Sequence, residues 1–295
     1  MKFSILGALA LHIAAAAYGQ TGAKTVLEAT SPLGAKFYSI PDDKGVVEAA
    51  KKALAADPKN PELFLKLAQA HAAVWQDREA VEASTRGLAL APKNAALLTE
   101  RGHRQLPLRQ FVKARDDLSR AVELEPKRMD AYYHLGLAHY FLGDFAAAAQ
   151  AFRHAVEFAP NDDERINSTN WAYAAVRRAH APDSKYAGEG ALAAIPPEMK
   201  NTAPHTLHYL NLVRLFQGRA TPAEITPPAP PRDGSDTEAE LAFDTVSYGI
   251  GNWELYNGNA AKAREYFERV LEGKVWITWG FIGAEREIAA AGKQH

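Results

Sequence analysis

The sequence contains no cysteine. This excludes disulfides, thiol nucleophiles, thiolate metal sites and a lipidated N-terminal cysteine. Net charge is also nearly absent, since 34 Lys and Arg stand against 35 Asp and Glu. The chain therefore lacks the excess of basic residues typical of nucleic-acid-binding proteins, and we predict no nucleic-acid partner. Its 295 residues, 47% hydrophobic and 23% charged, have the composition of a globular rather than a disordered protein.

Motifs that mark common catalytic sites are missing as well. The chain has no glycine-rich phosphate loop, no paired-histidine zinc motif with a glutamate and no nucleophile elbow. We therefore predict a protein that is not an enzyme and holds no cofactor. One alternative remains open, because His205 and His208 have the i, i+3 spacing of metal ligands on a helix. They would serve a metal-dependent enzyme or a small-molecule carrier.

Long hydrophobic runs are absent except at the start of the chain. Lys2 precedes an apolar run over residues 3–17, and the small residues Ala17 and Gly19 stand at −3 and −1 before Gln20. This is the pattern of a secretory signal peptide over residues 1–19. The run is shorter than the roughly 20 residues that cross a bilayer. We predict a periplasmic or secreted protein of the bacterial envelope with no integral membrane segment after cleavage.

A period of 34 residues organises the centre of the chain. Pro58, Pro92, Pro126 and Pro160 are spaced 34 residues apart. If each proline takes place 32 of a unit, the units are 61–94, 95–128 and 129–162. In the unit 129–162, two sets of apolar or small residues recur three to four places apart and so predict two helices, each with one buried face. They are Tyr132, Leu135, Gly136 and His139 at places 4, 7, 8 and 11, and Ala148, Phe152 and Ala155 at places 20, 24 and 27.

This pattern resembles the tetratricopeptide repeat, a helix–turn–helix unit of 34 residues. The resemblance implies an all-α, right-handed solenoid of about five to six helix pairs with a C-terminal capping helix. The place-32 prolines end each second helix. Asn60, Asn94 and Asp144 stand where the side chain of a helix N-cap is expected.

The repeat pattern divides the remaining chain. We expect an N-terminal linker over residues 20–43, a repeat array over 44–220 and a proline-rich extended loop over 221–236. A further repeat-like unit and an aromatic closing helix over about 275–291 are expected within residues 237–295. Residues 204–290 are similar to the C-terminal part of bacterial periplasmic tetratricopeptide adaptors, which dock envelope proteases and peptidoglycan hydrolases. Those adaptors are often anchored through an acylated cysteine, which this chain lacks.

The concave face of the predicted solenoid is the candidate binding site. In each first helix, the residues at places 4, 7, 8 and 11 are buried in the helix pair. The residues that should face the concave side are then those at places 2, 5, 9, 12 and 13. Aromatic residues cluster there, and aromatic anchors are typical of peptide-binding surfaces. We expect Tyr133 and Tyr140 to be exposed, whereas Phe141 and Trp171 either line the groove or pack against the next repeat. The candidate groove residues are Leu65, Gln69, Thr99, His103, Asp130, Tyr133, Leu137, Tyr140, Phe141, Asn167 and Trp171.

The sequence thus predicts an exported, non-catalytic scaffold or adaptor that binds a protein or peptide in its concave groove. Tetratricopeptide domains that hold chaperone C-termini use Lys and Asn at groove places 5 and 9, and this chain lacks them there. A structural component of an envelope secretion or assembly complex remains an alternative from another class.

Overall fold

The computed structural model describes residues 25–179, 203–231 and 234–292. The predicted signal peptide over residues 1–19 lies outside the described residues. The described part holds one hairpin, β1 (Leu27–Thr30) and β2 (Lys36–Tyr38), and otherwise only helices. These are α1 (Val46–Ala56), α2 (Pro61–Ala72), α3 (Asp77–Leu90), α4 (Ala95–Gln105), α5 (Phe111–Leu124), α6 (Met129–Leu142), α7 (Phe145–Glu157), α8 (Asp162–Ala179), α9 (Pro204–Phe216), α10 (Pro222–Ile225), α11 (Thr237–Tyr256), α12 (Ala260–Leu271) and α13 (Trp279–Ala291).

The predicted repeats form helix pairs. Helices α2/α3, α4/α5 and α6/α7 are the three units read from the sequence, α8 packs on α9, and α11/α12 forms the last pair. The predicted caps are confirmed, because the side chains of Asn60, Asn94 and Asp144 accept hydrogen bonds from the backbone of the helices they precede. The fold is the all-α solenoid that the period predicts, with α1 before the first pair and α13 after the last.

Small residues at place 8 let the two helices of a pair approach closely. A Cβ atom added to Gly136 would lie 2.6 Å from the ring of Phe152, which occupies place 24 of the same unit. Likewise, a Cβ atom added to Gly102 would lie 2.6 Å from the side chain of Leu118, at the equivalent place of the preceding unit. This explains why the repeat alternates small and large residues at these places, since a larger place-8 side chain would force the helices apart.

The turn between the two helices of a pair needs one residue with a left-handed backbone at place 15. Gly143 (φ 85°) and Gly258 (φ 89°) fill this place in two units. In the first two units, the same place holds Trp75 (φ 56°) and Arg109 (φ 58°). A left-handed conformation costs a side-chain-bearing residue roughly 1 kcal/mol or more. Both side chains must therefore make contacts that outweigh this cost.

Residues 20–43 were expected to form a linker, but their described part forms the β1–β2 hairpin. Leu27 pairs with Tyr38 and Ala29 with Phe37, so Glu28 is the extra residue of an irregularity in β1. The strands are only four and three residues long, too short to give a period-2 signal in the sequence. The hairpin packs beside the turn that follows α2, where the Ile40 N–H donates to the Val74 carbonyl at 3.0 Å.

The C-terminal part differs from the sequence prediction in two places. The predicted proline-rich loop starts with the four-residue helix α10 and continues without regular structure to residue 231. Helix α13 starts at Trp279, later than expected, because residues 275–278 form turns ahead of it. No helix in the described ranges is both long enough and apolar enough to span a membrane.

The buried carboxyl group of Glu28 predicts a pH-dependent stability. One of its oxygens accepts a hydrogen bond from the Arg78 backbone at 3.0 Å, and burial raises the pKa of Glu28 from 4.5 to about 7. The folded protein thus holds this proton more tightly than the unfolded chain, so stability falls as pH rises from about 4.5 to about 7. We expect Glu28→Gln to reduce this fall, measured by denaturant unfolding at several pH values across that interval.

The matched control for this experiment is Glu48→Gln, which removes an exposed carboxylate of α1 that pairs with Lys51. It should retain the wild-type pH dependence. An unchanged slope in Glu28→Gln would show that Glu28 titrates normally in the folded protein.

Candidate functional site: the concave face of the solenoid

The concave face is largely filled by the chain itself. Residues 275–291, here called the C-terminal segment, comprise the turns before α13 and α13 itself. Trp279 at the start of α13 lies against the stacked rings of His103 and His134, with centroids 5.5 and 6.0 Å away. These histidines belong to α4 and α6, two of the first helices predicted to line the groove. The groove is therefore not an open channel at this point.

Both imidazoles are held in their neutral form. Burial and the neighbouring Arg104 lower the pKa of His103 and of His134 below the ordinary histidine value. Their rings stack 3.8 Å apart. Two uncharged rings present a flat, weakly polar surface to the indole of Trp279, which explains why an aromatic residue can close the groove here.

A second aromatic cluster fixes the start of the C-terminal segment against the hairpin. Trp276 stacks on Phe37 of the hairpin at 5.2 Å with an interplanar angle of 5°, and it meets the edge of Trp75 at 6.2 Å. Its indole N–H donates to the Tyr38 carbonyl at 3.1 Å. Phe281 of α13 also packs on Phe37. The two ends of the array thus meet, which closes the solenoid.

Arg109, one of the two strained turn residues, lies at the centre of this junction. Its guanidinium carbon sits 4.7 Å above the Phe37 ring and 5.6 Å from Trp276. Its Nε donates to Glu285 of α13 at 2.9 Å, and the two side chains are only 8% and 1% exposed. The contacts of Trp75 and Arg109 with the C-terminal segment account for bulky residues at a position that favours glycine.

Several of the predicted groove residues are buried rather than exposed. Tyr140 was expected to be exposed and is 3% exposed, because its ring packs on Trp171 at 5.2 Å and its hydroxyl accepts from Asn252 at 2.6 Å. Phe141 and Trp171, for which two interpretations were open, pack against neighbouring repeats. The buried members of the predicted set are Thr99, Leu137, Tyr140, Phe141 and Trp171.

The remaining predicted residues differ in exposure. Tyr133, also expected to be exposed, is half-buried, and burial together with the neighbouring Tyr209 raises its pKa well above the usual range. Gln69 and Asp130 are exposed, and they are the two predicted positions most open to solvent. Half-buried members of the set are Leu65, His103, Tyr133 and Asn167.

The metal-site alternative finds no support in the described residues. The side chain of His205 lies outside them, and His208 is half-buried on α9. Within residues 25–179, 203–231 and 234–292, no group of three or more His, Asp or Glu side chains is arranged to hold a metal ion.

Comparison with known protein families finds a repeat at one of the helix pairs described above. A family model described as tetratricopeptide repeat matches residues 129–162, the unit formed by α6 and α7. Residues 129–162 therefore form a tetratricopeptide repeat. No curated protein matches the chain.

Solved structures similar to parts of this chain include the following three. A tetratricopeptide repeat protein from Parabacteroides merdae is 18% identical over 77% of this chain and 87% of its own, with a TM-score of 0.45. YrrB, described as a tetratricopeptide protein with an unusual peptide-binding site, is 16% identical over 84% of this chain and 100% of its own, with a TM-score of 0.44. MamA is 23% identical over 60% of this chain and 83% of its own, with a TM-score of 0.42. These identities are too low to transfer a function.

The buried ion pair between Arg109 and Glu285 predicts that the C-terminal segment contributes much of the stability of this protein. Glu285→Gln keeps the size of the side chain but leaves the Arg109 cation buried without a counter-charge. We expect the free energy of unfolding to fall by about 3 kcal/mol, measured by urea or guanidinium denaturation.

The control is Glu268→Gln, which breaks the surface pair with Arg264 at 2.7 Å. Exposed pairs contribute at most about 1 kcal/mol, so this variant should stay close to wild type. Equal losses in the two variants would contradict the central role of the Arg109–Glu285 pair.

Proposed function

We propose that the protein is an exported, non-catalytic scaffold that binds a protein or peptide partner. Stacked tetratricopeptide pairs form an extended curved surface, and binding along such a surface is what solenoid architectures provide. The proposal rests on one observation: part of the concave side is exposed to solvent. Gln69 and Asp130 remain exposed on α2 and α6, although the interior between α6 and α8 is filled.

The open strip has a defined chemistry. Leu65 is half-buried and offers apolar area, while Gln69 offers an amide and Glu62 and Asp130 offer exposed carboxylates. Asp130 pairs with Arg128 at 3.0 Å, with about half of its side chain exposed, which makes this a weak and exchangeable pair. An extended peptide with backbone N–H groups and a basic side chain would complement these groups. We therefore propose a partner segment of that kind along α2, α4 and α6.

The location of the protein is part of the same proposal. The pattern of residues 1–19 supports export, and the similarity of residues 204–290 to periplasmic tetratricopeptide adaptors supports a role in the bacterial envelope. The partner would then be an envelope protein.

Asp130→Arg tests the open strip. The substitution replaces the exposed carboxylate by a cation, so a partner that presents a basic segment should be recovered at least about tenfold less well. The measurement is a pull-down from envelope extract with quantitative mass spectrometry, with circular dichroism to show that the variant is folded.

Glu123→Arg is a control with the same charge change, placed on the second helix α5, where Glu123 is also exposed. It should recover the partner as wild type does. If Asp130→Arg and Glu123→Arg recover the same proteins in the same amounts, the open strip is not the binding site.

Export predicts a defined mature N-terminus. Cleavage after Gly19 should give a protein beginning at Gln20 in the periplasmic or extracellular fraction, identified by mass spectrometry of the intact chain. Gly19→Leu places a bulky residue at the cleavage site and should cause the precursor to accumulate, whereas Leu27→Ala, beyond the site, should be processed normally. A full-length chain confined to the cytosolic fraction would contradict the proposal.

A further inference from the structure

A cleft of about 210 Å³ opens beside the C-terminal segment, away from the open strip described above. Its walls come from the turn between α6 and α7 and from α8, α11 and α13. The side chains that give it chemical character are Tyr140, Phe145, Arg178, Tyr248, Arg286 and Glu287. None of the functions considered so far uses this cleft.

The cleft carries one positive charge without an internal partner. Arg178 is neutralised by Glu287 through two contacts of 2.6 and 3.2 Å and lies over the Phe145 ring at 4.5 Å. Arg286 lies 5.7 Å from the Phe111 ring, and it makes no ion pair with any described residue. Its Nε is buried and has no hydrogen-bond partner in the described ranges. Because Arg286 lines the cleft, its guanidinium is the charge that an anion in the cleft would pair with.

A hydroxyl proton is also left to donate. The hydroxyls of Tyr140 and Tyr248 are 3.4 Å apart, and both residues are 3% exposed. The Asn252 amide donates to the Tyr140 oxygen at 2.6 Å. Two hydroxyls hold two protons, but the bond between them uses only one. The other proton has no acceptor among the described residues, and a buried donor without an acceptor is unfavourable.

We propose that this cleft binds a carboxylate attached to an aromatic or branched apolar body. Arg286 would donate to the carboxylate, the free hydroxyl proton of the tyrosine pair would donate to the same group, and Phe145 would pack on the apolar body. The volume is below the range of about 300–1,000 Å³ typical of drug-sized ligands, so the ligand is about the size of one amino-acid residue. Two sources share this chemistry: the C-terminal residue of a protein and a free small carboxylic acid.

The first experiment compares two probes on the full-length protein by isothermal titration calorimetry. N-acetyl-phenylalanine carries the carboxylate, and N-acetyl-phenylalanine amide has the same body without the charge. We expect the acid to bind with a Kd of about 1 mM, as ligands of this size do, and the amide to bind at least about tenfold more weakly. Equal affinity of acid and amide, or no heat of binding for the acid at about 10 mM, would overturn the proposal.

Variants then assign the binding to the named groups. Arg286→Gln removes the charge and should weaken the acid at least about tenfold. The double variant Tyr140→Phe/Tyr248→Phe removes both hydroxyl protons of the pair and should also weaken the acid. Arg153→Gln on the exposed side of α7 is the matched control and should bind as wild type. Folding of each variant is checked by its thermal unfolding midpoint. If either folded cleft variant binds the acid as wild type does, the assignment is wrong.

A third probe distinguishes the two sources. A six-residue peptide ending in phenylalanine, with a free C-terminus, should bind as well as N-acetyl-phenylalanine if the ligand is a protein terminus. Binding of the small acid alone indicates a free acid, and both outcomes keep the carboxylate site. The test uses no envelope partner, so it is independent of Asp130 and can fail or succeed apart from the proposed function.

Discussion

The burial of one cation, the Arg109 guanidinium, determines how the parts of this molecule are joined. A cation removed from water is costly unless it is paired and its surroundings attract it. Arg109 meets this requirement with groups from two separate regions: the ring of Phe37 in the hairpin, and the ring of Trp276 and the carboxylate of Glu285 in the C-terminal segment. The hairpin, the second repeat and the C-terminal segment therefore depend on one another, and the loss of any one exposes or unpairs the charge.

The backbone of the first two repeats also depends on the C-terminal segment, because each repeat has a strained turn residue that contacts it. Trp75 and Arg109 adopt a conformation that favours glycine, as Gly143 shows at the equivalent place of the third unit. Within the turns themselves, backbone hydrogen bonds from Gln76 to His71 and from Gln110 to Gln105 offset part of this cost. Further compensation comes from Trp276 and Glu285, more than 160 residues away in the chain. The first two repeats are thus stabilised by the last part of the sequence, which sets this protein apart from a solenoid held together only by neighbouring repeats.

Much of the fold could be predicted from local signals in the sequence. Contacts between residues far apart in the chain could not be predicted in this way. The spacing of Pro58, Pro92, Pro126 and Pro160 locates the helix ends, and Asn60, Asn94 and Asp144 cap helices as expected, because these effects act within a few residues. The burial of Tyr140 depends on Tyr248 and Asn252, over 100 residues later, and no local pattern reports it. One signal was present in the sequence: Trp75 and Arg109 stand at the turn position that Gly143 and Gly258 fill elsewhere, and such bulky residues indicate a tertiary contact.

The closed groove changes where this protein can bind. A scaffold with an empty concave face would use the aromatic residues of α6 and α8, but here the ring of Tyr140 packs on Trp171, and Tyr140 also lines the cleft beside α13. The same packing that removes Tyr140 from the groove thus places its hydroxyl where a carboxylate would meet it. Arg286 and Glu287 belong to the C-terminal segment, so the repeats alone could not form the cleft. The segment that fills the groove therefore also creates a second surface with its own chemistry.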